Sequence, residues 1–377
     1  MLPKVSIIVP VYNGEKTLAL CLDSLMNLDY PKKDLEIIVV DNASTDETAK
    51  VIKQYPVKYI FEPHKSRARA RNKGIKSAQG EFIAFLDADC VAHKDWLRRL
   101  WKECHDSSVG ACGGEIYAYN CSSVWEKYAE NRGFYRHEYS MKEEVLFPTI
   151  KTGNAIYPKT ILENIGLFDE TFYGGEDTDL SLRIAFGGLK FIYIPDAIVY
   201  HKHRNSLTGL CKQFFGYGRY KRILREKYKN TITLHYGPAF RNIFYPGRHS
   251  ENLDNKEEPL NILYFAVDLI IYLAYSAGWL SLSLFRYPSV KPFEKPSSLA
   301  RKAFRKLDGE LMISDIANEY NYSLGIVGTR IYELLSCGVK ETEIVDKLSE
   351  EYQVNKEEFR KDFTEFLSEL KEEKLLS

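Results

Sequence analysis

The sequence carries no net charge, because 52 lysine and arginine residues offset 52 aspartate and glutamate residues in 377 positions. Without excess positive charge there is no global attraction to nucleic acid, so we expect no nucleic-acid partner. Cysteine pairs at metal-binding spacing are also missing. The seven cysteines are odd in number, contain no Cys-x-x-Cys and show no His/Cys spacing typical of zinc. This usage favours a reducing cytosol.

The N-terminus lacks the charged, apolar and small-residue regions of a signal peptide, because Met1 to Lys4 lead directly into a strand pattern. We therefore expect a cytoplasmic protein. Apolar residues make up 45% of the sequence. That fraction and this length are sufficient for one large domain and a smaller one.

Two acids, Asp87 and Asp89, follow the apolar stretch of residues 81–86. The stretch predicts a buried strand, and the acids then lie at its carboxyl end, where open α/β sheets hold their ligands. Carboxylates one position apart can bind a hard cation such as Mg²⁺ together with phosphate oxygens. A turn with two solvated acids is the alternative, and three residues alone do not decide between the two.

The first ninety or so residues alternate between strand and helix patterns. We predict strands at residues 5–9, 35–40, 58–61 and 81–86, and helices at 15–27, 44–54 and 66–78, with a capping box at Ser44 to Glu47. Such alternation requires right-handed crossovers and a parallel sheet. Functional candidates are the residues at strand ends and nearby turns: Pro10, Tyr12, Asn13, Asp41, Asn42, Arg71, Asn72, Asp87 and Asp89.

From about residue 104 to residue 200 the alternation of strands and helices is less regular. Residues 110–119 predict a strand, and residues 124–139 predict one aromatic-rich helix.

Two further acids and a histidine complete the candidate site. Glu176 and Asp177 follow a Gly-Gly turn and open a predicted helix, so we expect the helix dipole to lower their pKa values and keep them ionised. An ordinary acidic N-cap is the alternative. His201 follows a short predicted strand and is a candidate third ligand beside the aspartates.

Several motifs occur in order over residues 4–204. They are Val9-Pro10-Val11-Tyr12-Asn13-Gly14-Glu15, Asp41-Asn42-Ala43-Ser44-Thr45-Asp46, Ala70-Arg71-Asn72-Lys73-Gly74-Ile75, Gly80-Glu81-Phe82-Ile83-Ala84-Phe85-Leu86-Asp87-Ala88-Asp89, and Gly166-Leu167-Phe168-Asp169-Glu170 with Gly175-Glu176-Asp177-Thr178-Asp179-Leu180. Together they resemble the family 2 glycosyltransferases of the GT-A fold. The resemblance implies a nucleotide-sugar-binding α/β sandwich and an inverting transferase that uses a nucleotide-diphosphate sugar with Mg²⁺ or Mn²⁺.

The resemblance also implies roles for individual residues. Nucleotide-sugar binding falls to Pro10, Tyr12, Glu15, Asp41, Arg71 and Asp87. Asp89 is expected on the metal, and His201 would complete the metal and diphosphate site. Asp177 is the expected base for the acceptor hydroxyl, with Glu176 as the second candidate.

The sequence departs from many relatives of this kind at His64-Lys65-Ser66-Arg67, where a glycine-containing loop is common. The contacts to the donor diphosphate in this loop are therefore left open.

Two stretches after the catalytic motifs suggest a surface role. Residues 207–229 are basic and aromatic, which fits an anionic membrane surface, a cover for the acceptor site or a helix packed on the main domain. Gly216 and Gly218 argue against a single helix there.

Residues 260–285 are long and apolar enough to span a bilayer, although Asp268 lies inside them. The flank that follows is basic, and a nucleotide sugar is cytosolic, so both ends are expected in the cytosol. We therefore favour a monotopic, re-entrant or hairpin element, broken near Ser276-Ala277-Gly278. A docking helix inside the protein is the alternative.

The C-terminal region resembles the PqqD family. The resemblance rests on Gly338-Val339-Lys340-Glu341-Thr342-Glu343-Ile344-Val345-Asp346-Lys347-Leu348-Ser349-Glu350-Glu351-Tyr352, on the preceding Ile331-Tyr332-Glu333-Leu334-Leu335 and on the continuation to Leu375-Leu376. This resemblance implies a small winged-helix-like α(+β) domain that recognises a leader or precursor peptide by adding a strand to its sheet. A helical oligomerisation module and a DNA-binding winged helix are the alternatives. Seven basic against twelve acidic residues over positions 340–377, a net charge of −5, oppose binding to phosphates.

We therefore divide the chain into a catalytic domain at residues 1–230, an apolar helical membrane-associated or docking segment at 231–290, a linker at 291–307 and a PqqD-like domain at 308–377. The expected protein is an inverting glycosyltransferase, peripheral or monotopic on the cytoplasmic face of the cell membrane, whose acceptor is a peptide or a peptide-derived product. A lipid-linked or growing polysaccharide acceptor is the first alternative. A non-catalytic escort of a peptide is the second.

Overall fold

The computed structural model describes residues 2–106, 108–141, 148–228, 262–284, 302–307, 310–315, 320–324, 326–336 and 339–372. The chain divides into two compact units, Met1–Ala300 and Arg301–Ser377. The basic flank after residue 285 and residues 291–301 of the predicted linker lie outside the described residues.

The first unit begins with the predicted alternation of strands and helices. Its elements are β1 (Val5–Val11), α1 (Leu18–Met26), β2 (Leu35–Asp41), α2 (Thr48–Ile52), β3 (Lys58–Phe61), α3 (Arg67–Ser77) and β4 (Phe82–Leu86). Strand β1 pairs in parallel with β2 and β4, and β2 pairs in parallel with β3. The carboxyl ends of these strands therefore meet at one edge of the sheet, as the sequence predicts.

The capping box predicted at Ser44 to Glu47 is wrong, and α2 is shorter than predicted. Glu47 is the N-cap residue, but its side chain makes no capping hydrogen bond. Ser44 instead accepts a hydrogen bond from the backbone amide of Asn13 at 2.9 Å, and the Asn13 side chain accepts one from the amide of Thr45 at 2.8 Å. These polar residues join the loops after β1 and β2, so long-range contacts replace the local cap.

The second half of this unit completes a mixed sheet. Its elements are β5 (Cys90–Ala92), α4 (Trp96–Glu103), β6 (Val109–Ala118), α5 (Val124–Asn131), α6 (Glu138–Met141), β7 (Asn154–Pro158), α7 (Lys159–Ile165), α8 (Glu176–Phe186) and β8 (Lys190–His201). Within the described residues the strand order is β3-β2-β1-β4-β7-β6-β8-β5. Strand β5 pairs antiparallel with β8 and places Cys90 opposite His201, which brings Asp89 beside that histidine.

The single helix predicted over residues 124–139 is wrong. Helix α5 ends at Asn131, and Gly133 adopts a left-handed backbone with φ of 61° before the short α6 begins. A glycine takes up this conformation without the steric cost that a side chain would add. The break turns the chain, and Tyr135 then stacks on His201.

Apolar side chains pack against both faces of the sheet, so the first unit has the layered core of an α/β sandwich. One layer centres on Trp96 with α1 and α4, and the other centres on Phe85 with α3, α7 and α8. The predicted strand ends are thus held from both sides, which fixes the edge where the polar residues gather.

Two long helices follow, and both predicted interruptions are wrong. Helix α9 (Leu207–Tyr228) runs through Gly216 and Gly218, and α10 (Ile262–Leu284) runs through Gly278. A Cβ atom on Gly218 would lie 2.0 Å from the carbonyl oxygen of Tyr275, and one on Gly278 would lie 2.0 Å from that of Phe215. The glycines therefore let the two helix backbones approach closely.

Within the first unit, helix α10 is bonded to α5 and the residue that follows it through the acid that the sequence places inside the apolar stretch of α10. Asp268 is buried and accepts hydrogen bonds from Tyr128 and from Arg132, whose Nε lies 3.1 Å from Oδ1. A charge inside an apolar helix is tolerated when it is paired in this way. These contacts agree with the alternative prediction of a docking helix. Within the described residues, no helix is long and apolar enough to cross a membrane.

The second unit combines a small sheet with a helical layer. Its elements are β9 (Lys302–Leu307), β10 (Glu310–Asp315), β11 (Tyr320–Leu324), α11 (Ile326–Ser336), α12 (Glu341–Glu351) and α13 (Lys356–Glu372). Strand β10 pairs antiparallel with both β9 and β11. Strand β9 lies in the range predicted as linker, so ordered structure begins earlier than predicted.

Candidate active site

Arg71 is the centre of the polar cluster at the sheet edge. It lies on α3, is buried, and donates hydrogen bonds to Glu176 at the start of α8 and to Asp87, the latter at 3.0 Å. A buried guanidinium needs such partners, because burial without them would be costly. Arg71 therefore joins the end of β4 to the start of α8. The role in nucleotide binding that the resemblance implies for Arg71 stays a prediction.

The partners of Arg71 are held closely. Gly153 lies against Asp87, and a Cβ atom at Gly153 would be 3.2 Å from Oδ2 of that acid. The Glu176 side chain is 4% exposed, and its Oε2 is buried without a hydrogen-bond partner among the described residues. The Glu176 carboxylate is therefore enclosed by the protein, whereas the Asp87 side chain is 37% exposed.

Asp177 differs from its neighbour Glu176. It accepts a hydrogen bond from the amide of Thr178 at 2.8 Å. Burial, followed by the charge of Glu176, raises the pKa of Asp177 to about 6. The expectation that the helix dipole lowers this pKa is wrong, because burial next to another acid outweighs the dipole. Asp177 is thus ionised at neutral pH yet still basic enough to accept a proton.

Asp89 and His201 lie close together. The Asp89 Oδ1 and His201 Nε2 atoms are 3.5 Å apart, and with the Cys90 sulfur these ligand atoms all lie within 4.8 Å of one another. A carboxylate oxygen and an imidazole nitrogen are suitable ligands for a divalent cation. Burial raises the pKa of the Cys90 thiol well above its usual range. Cysteine sulfur is a soft ligand, whereas Mg²⁺ and Mn²⁺ prefer oxygen ligands, so Cys90 suits these cations less well than Asp89 does. The donor set therefore fits a divalent cation held by Asp89 and His201.

The remaining predicted nucleotide-binding residues line the ends of β1 and β2. Tyr12 is exposed, and Lys65 donates a hydrogen bond to its hydroxyl at 2.6 Å while lying over its ring. Asp41 accepts hydrogen bonds from the Ser44 amide at 2.9 Å and from the Tyr59 hydroxyl at 3.2 Å. Two hydrogen bonds thus hold Asp41 in place, and Lys65 covers one face of the Tyr12 ring.

Glu15 and Pro10 lie at the same edge with different surroundings. Glu15 accepts a hydrogen bond from the amide of Glu47 at 3.2 Å, which links the two loops again. Pro10 is half-buried in β1, opposite Val40 of β2. Among the hydrogen bonds of the described residues, neither Glu15 nor Pro10 is bonded to Arg71, Asp87 or Glu176.

Sequence comparison supplies the evidence for the family. The glycosyl transferase family 2 model matches residues 6–166. Glycosyltransferase AglE of Haloferax volcanii is 31% identical over 221 residues, which are 56% of this chain and 71% of that protein. A dolichyl N-acetyl-alpha-D-glucosaminyl phosphate 3-beta-D-2,3-diacetamido-2,3-dideoxy-beta-D-glucuronosyltransferase of Methanococcus voltae is 31% identical over 250 residues, or 61% of this chain and 77% of that protein.

The chain belongs to glycosyltransferase family 2. It is therefore a glycosyltransferase, as predicted, and it ends in a PqqD domain, whose model (coenzyme PQQ synthesis protein D) matches residues 310–376. Its fold is similar to that of mannosyltransferase PcManGT from Pyrobaculum calidifontis, solved in complex with GDP-Man and Mn²⁺. That likeness has a TM-score of 0.52 at 22% identity and covers 75% of this chain and 76% of the other. The predicted GT-A fold is confirmed.

In this glycosyltransferase, sequence reasoning missed a second arginine. Arg67 lies one turn before Arg71 on α3, on the same face, and is exposed where Arg71 is buried. Although desolvation acts in the opposite direction, the charges of Glu176 and Asp87 raise the pKa of Arg67. The signal was present in the departure at residues 64–67, where Lys65 lies in the loop before α3 and Arg67 is the first residue of that helix.

Proposed function

We propose that this glycosyltransferase transfers a sugar from a nucleotide-diphosphate donor to an acceptor hydroxyl with inversion at the anomeric carbon. The observation that supports the proposal is the division of labour around Arg71. Arg71 binds Asp87 and Glu176, which leaves Asp89 with His201 for the donor and Asp177 for the acceptor. Inversion needs a base and a leaving group on opposite faces of the sugar, and two separate groups of acids suit that need.

The acceptor side of the reaction would depend on Asp177. Its carboxylate would take the proton of the acceptor hydroxyl while the hydroxyl oxygen bonds to the anomeric carbon. The bond from that carbon to the diphosphate oxygen breaks, and its electron pair leaves with the nucleoside diphosphate. The pKa of about 6 supports this role, because such a base is ionised at neutral pH and still accepts a proton.

The donor side would depend on Asp89 and His201, which would hold Mg²⁺ or Mn²⁺. A bound divalent cation would neutralise the negative charge that develops on the departing diphosphate. Arg67 is exposed beside the acid cluster and is our candidate for a direct contact to the diphosphate, since Arg71 is bound to two carboxylates. Tyr12, Glu15, Asp41 and Pro10 would bind the nucleoside.

A donor assay tests the activity. The full chain with Mn²⁺ is incubated with UDP-glucose, UDP-N-acetylglucosamine or GDP-mannose, and release of the nucleoside diphosphate is measured. We expect release from one of these donors and loss of release with EDTA. No release from any donor, together with no binding of UDP or GDP in the presence of Mn²⁺, would support the escort alternative and contradict the proposal.

We propose that the acceptor is a peptide or a peptide-derived product brought by the second unit. The support is its small antiparallel sheet, whose outer strands β9 and β11 each have one side without a partner strand in the described residues. An added peptide strand would use these backbone groups. Helices α11 and α13 also enclose an apolar groove of about 290 Å³ that could receive side chains of such a peptide. Val327, Gly328, Ile331, Phe359, Phe363 and Phe366 line this groove with Asp362.

Truncation after residue 300 tests the peptide proposal. The truncated chain should release nucleotide from the donor at the parent rate but transfer sugar to a precursor peptide at least tenfold more slowly, because tethering raises the local concentration of the acceptor. Peptides encoded by neighbouring genes are the first acceptors to test. Equal peptide transfer by the parent and the truncated chain would contradict the proposal.

A lipid-linked acceptor is the second candidate, favoured by the Methanococcus voltae relative named for a dolichyl-linked substrate and by the exposed face of α10. The exposed residues of α10 whose side chains are described are all apolar and follow helical spacing: Ala266, Leu269, Ile270, Leu273, Ala277 and Leu280. At one end, Arg222 and Arg225 of α9 lie over the ring of Trp279. Such a face fits the interfacial region of a membrane with anionic lipids.

We therefore propose a peripheral location on the cytoplasmic face of the membrane. Co-sedimentation with vesicles containing phosphatidylglycerol tests it. We expect binding that survives high salt and that is lost in Leu269→Glu with Leu273→Glu, with Leu20→Glu, an exposed leucine on α1, as control. Release by salt alone would contradict hydrophobic insertion.

A further inference from the structure

Behind His201 lies a row of side chains that the proposed reaction does not use. The His201 Nδ1 and His203 Nδ1 atoms are 3.0 Å apart, and His203 Nε2 lies 3.1 Å from Oε2 of Glu130 on α5. The Tyr135 ring stacks on both imidazoles, with centroid distances of 4.1 Å and 4.6 Å. A continuous row therefore leads from Asp89 through His201 and His203 to Glu130.

Hydrogen-bond accounting restricts where the protons of this row can be. An ionised carboxylate only accepts, so His203 Nε2 must donate to Glu130. With one proton on its ring, His203 then has an unprotonated Nδ1, which accepts from His201 Nδ1. His201 in turn has its single proton on Nδ1, and its Nε2 presents a lone pair toward Asp89. A lone pair and a carboxylate that face each other are suited to binding a cation between them.

We propose that Glu130 and His203 are positioning residues that select the metal-binding tautomer of His201. This inference rests on the proposed function, because it assumes that Asp89 and His201 hold the divalent cation. Glu130 sets the proton on His203, His203 sets the proton on His201, and the Tyr135 ring keeps both imidazoles in register. None of the three residues behind His201 needs to contact the donor.

The surroundings support a fixed arrangement. The His203 side chain is 1% exposed, so water cannot readily replace Glu130 as its partner. Glu130 is itself held, because its Oε2 also accepts the amide of Ala118 at 3.0 Å and its Oε1 lies 3.9 Å from Arg136. Outer partners of metal-binding histidines typically change metal affinity by about 10–100-fold when they are removed.

Mn²⁺ binding to the full chain tests the proposal without turnover. Titration of the protein with Mn²⁺ is followed by the electron paramagnetic resonance signal of the free ion. Glu130→Ala and His203→Phe should each weaken Mn²⁺ binding about tenfold or more. Glu138→Ala is the matched control, because Glu138 also lies beside Arg136, at 3.4 Å, and touches neither histidine in the described contacts. It should bind Mn²⁺ like the parent.

Glu130→Gln is the second variant, because Glu130→Ala removes the acceptor of the Ala118 amide and could fail to fold. The glutamine keeps an acceptor for that amide but loses the charge, so we expect weaker Mn²⁺ binding at a parent-like Tm. Parent-like Mn²⁺ affinity in both Glu130→Gln and His203→Phe would overturn the proposal.

A spectroscopic signature separates proton selection from general support. In ¹⁵N-histidine-labelled protein without metal, long-range ¹H–¹⁵N spectra report which ring nitrogen of His201 carries the proton, with the signals assigned by His201→Asn. We expect a proton on Nδ1 in the parent and a mixture of tautomers in Glu130→Gln. A proton on Nε2 in the parent, as when His203 carries two protons, would overturn the proposal.

The same titration distinguishes failure of this inference from failure of the proposed function. Loss of Mn²⁺ binding in His201→Asn with unchanged binding in Glu130→Gln and His203→Phe would keep the metal site and reject its positioning. Unchanged binding in both His201→Asn and Asp89→Ala, or no Mn²⁺ binding by the parent, would reject the metal site and the positioning together.

Discussion

The first unit contains two pairs of acids, Asp87 with Asp89 and Glu176 with Asp177, and Arg71 binds one acid of each pair. At the end of β4 it binds Asp87 and leaves Asp89, and at the start of α8 it binds Glu176 and leaves Asp177. The acids that Arg71 holds give the site its shape. The acids that it leaves have different surroundings: Asp89 faces an imidazole at 3.5 Å, whereas Asp177 is half-buried beside another acid. The comparison teaches that similar motifs acquire different chemistry from what lies next to them.

Removing Arg71 should disrupt both pairs of acids and have the largest effect on transfer and on stability. Arg71→Met would leave Glu176 buried beside Asp177 without its cation, and breaking a buried pair in this way costs about 3–5 kcal/mol. We expect transfer below detection and a lower free energy of unfolding, measured by urea denaturation. Arg69→Met, on the exposed side of α3, is the matched control and should stay within about 0.5 kcal/mol of the parent. An Arg71→Met variant as stable as the parent would show that Arg71 does not join the two pairs.

Asp177→Asn should separate the proposed role of Asp177 on the acceptor side from that of Asp89 on the donor side. Removing a general base typically costs about 10²–10⁴-fold in rate, so we expect that loss in sugar transfer. Nucleotide affinity should stay near that of the parent. Because burial penalises the ionised carboxylate, the asparagine variant should melt no lower than the parent above pH 6. Parent-like turnover would remove Asp177 from the mechanism.

The pH profile of transfer should report the surroundings of Asp177. The base must be ionised, and burial with the charge of Glu176 raises its pKa to about 6. The transfer rate at saturating donor should therefore be level above that pH and fall about tenfold per unit below it. Rates measured from pH 4.5 to pH 8 test this. A level profile down to pH 4.5 would mean that the base has an unshifted pKa or is another group.

Asp87→Asn should have the smallest effect of the series. The charge of Asp87 contributes to the raised pKa of Asp177, after burial and Glu176, so its removal should move the acid limb of the pH profile to lower pH. The hydrogen bond to Arg71 can persist with the amide oxygen, and we expect transfer at neutral pH within about tenfold of the parent. A shift of the limb to higher pH would contradict this account of the cluster.

The local pattern of apolar and polar residues was sufficient to predict the strands and helices that neighbouring residues determine. Alternating strands and helices gave β1 to β4, and the parallel order of these strands brought Asp41 and Asp87 to one edge. Helix α3 begins after Ser66, whose hydroxyl accepts the Arg69 amide at 3.3 Å as an N-cap should. These features require only neighbours in sequence and the rules of strand connection.

Most of the failures depend on contacts between distant residues, whereas the break between α5 and α6 follows from the local backbone of Gly133. Gly218 and Gly278 look like helix breakers in sequence, but each fits against the backbone of the other helix. In the sequence, Asp268 is an unexplained charge inside an apolar segment, and the structure shows that Arg132 pairs with it. The pKa of Asp177 depends on burial, which a helix position does not reveal. Sequence therefore predicted which acids are candidates for the site, and only the structure showed which of them Arg71 binds.

The most direct test of the account measures nucleotide binding with and without Mn²⁺ in two variants. UDP and GDP are titrated by calorimetry into the parent, Asp89→Ala and Asp177→Asn. We expect Asp89→Ala to lose the Mn²⁺-dependent part of the affinity and Asp177→Asn to keep it, while both lose transfer. Intact Mn²⁺-dependent binding in Asp89→Ala, or its loss in Asp177→Asn, would contradict the assignment of one free acid to the donor and the other to the acceptor.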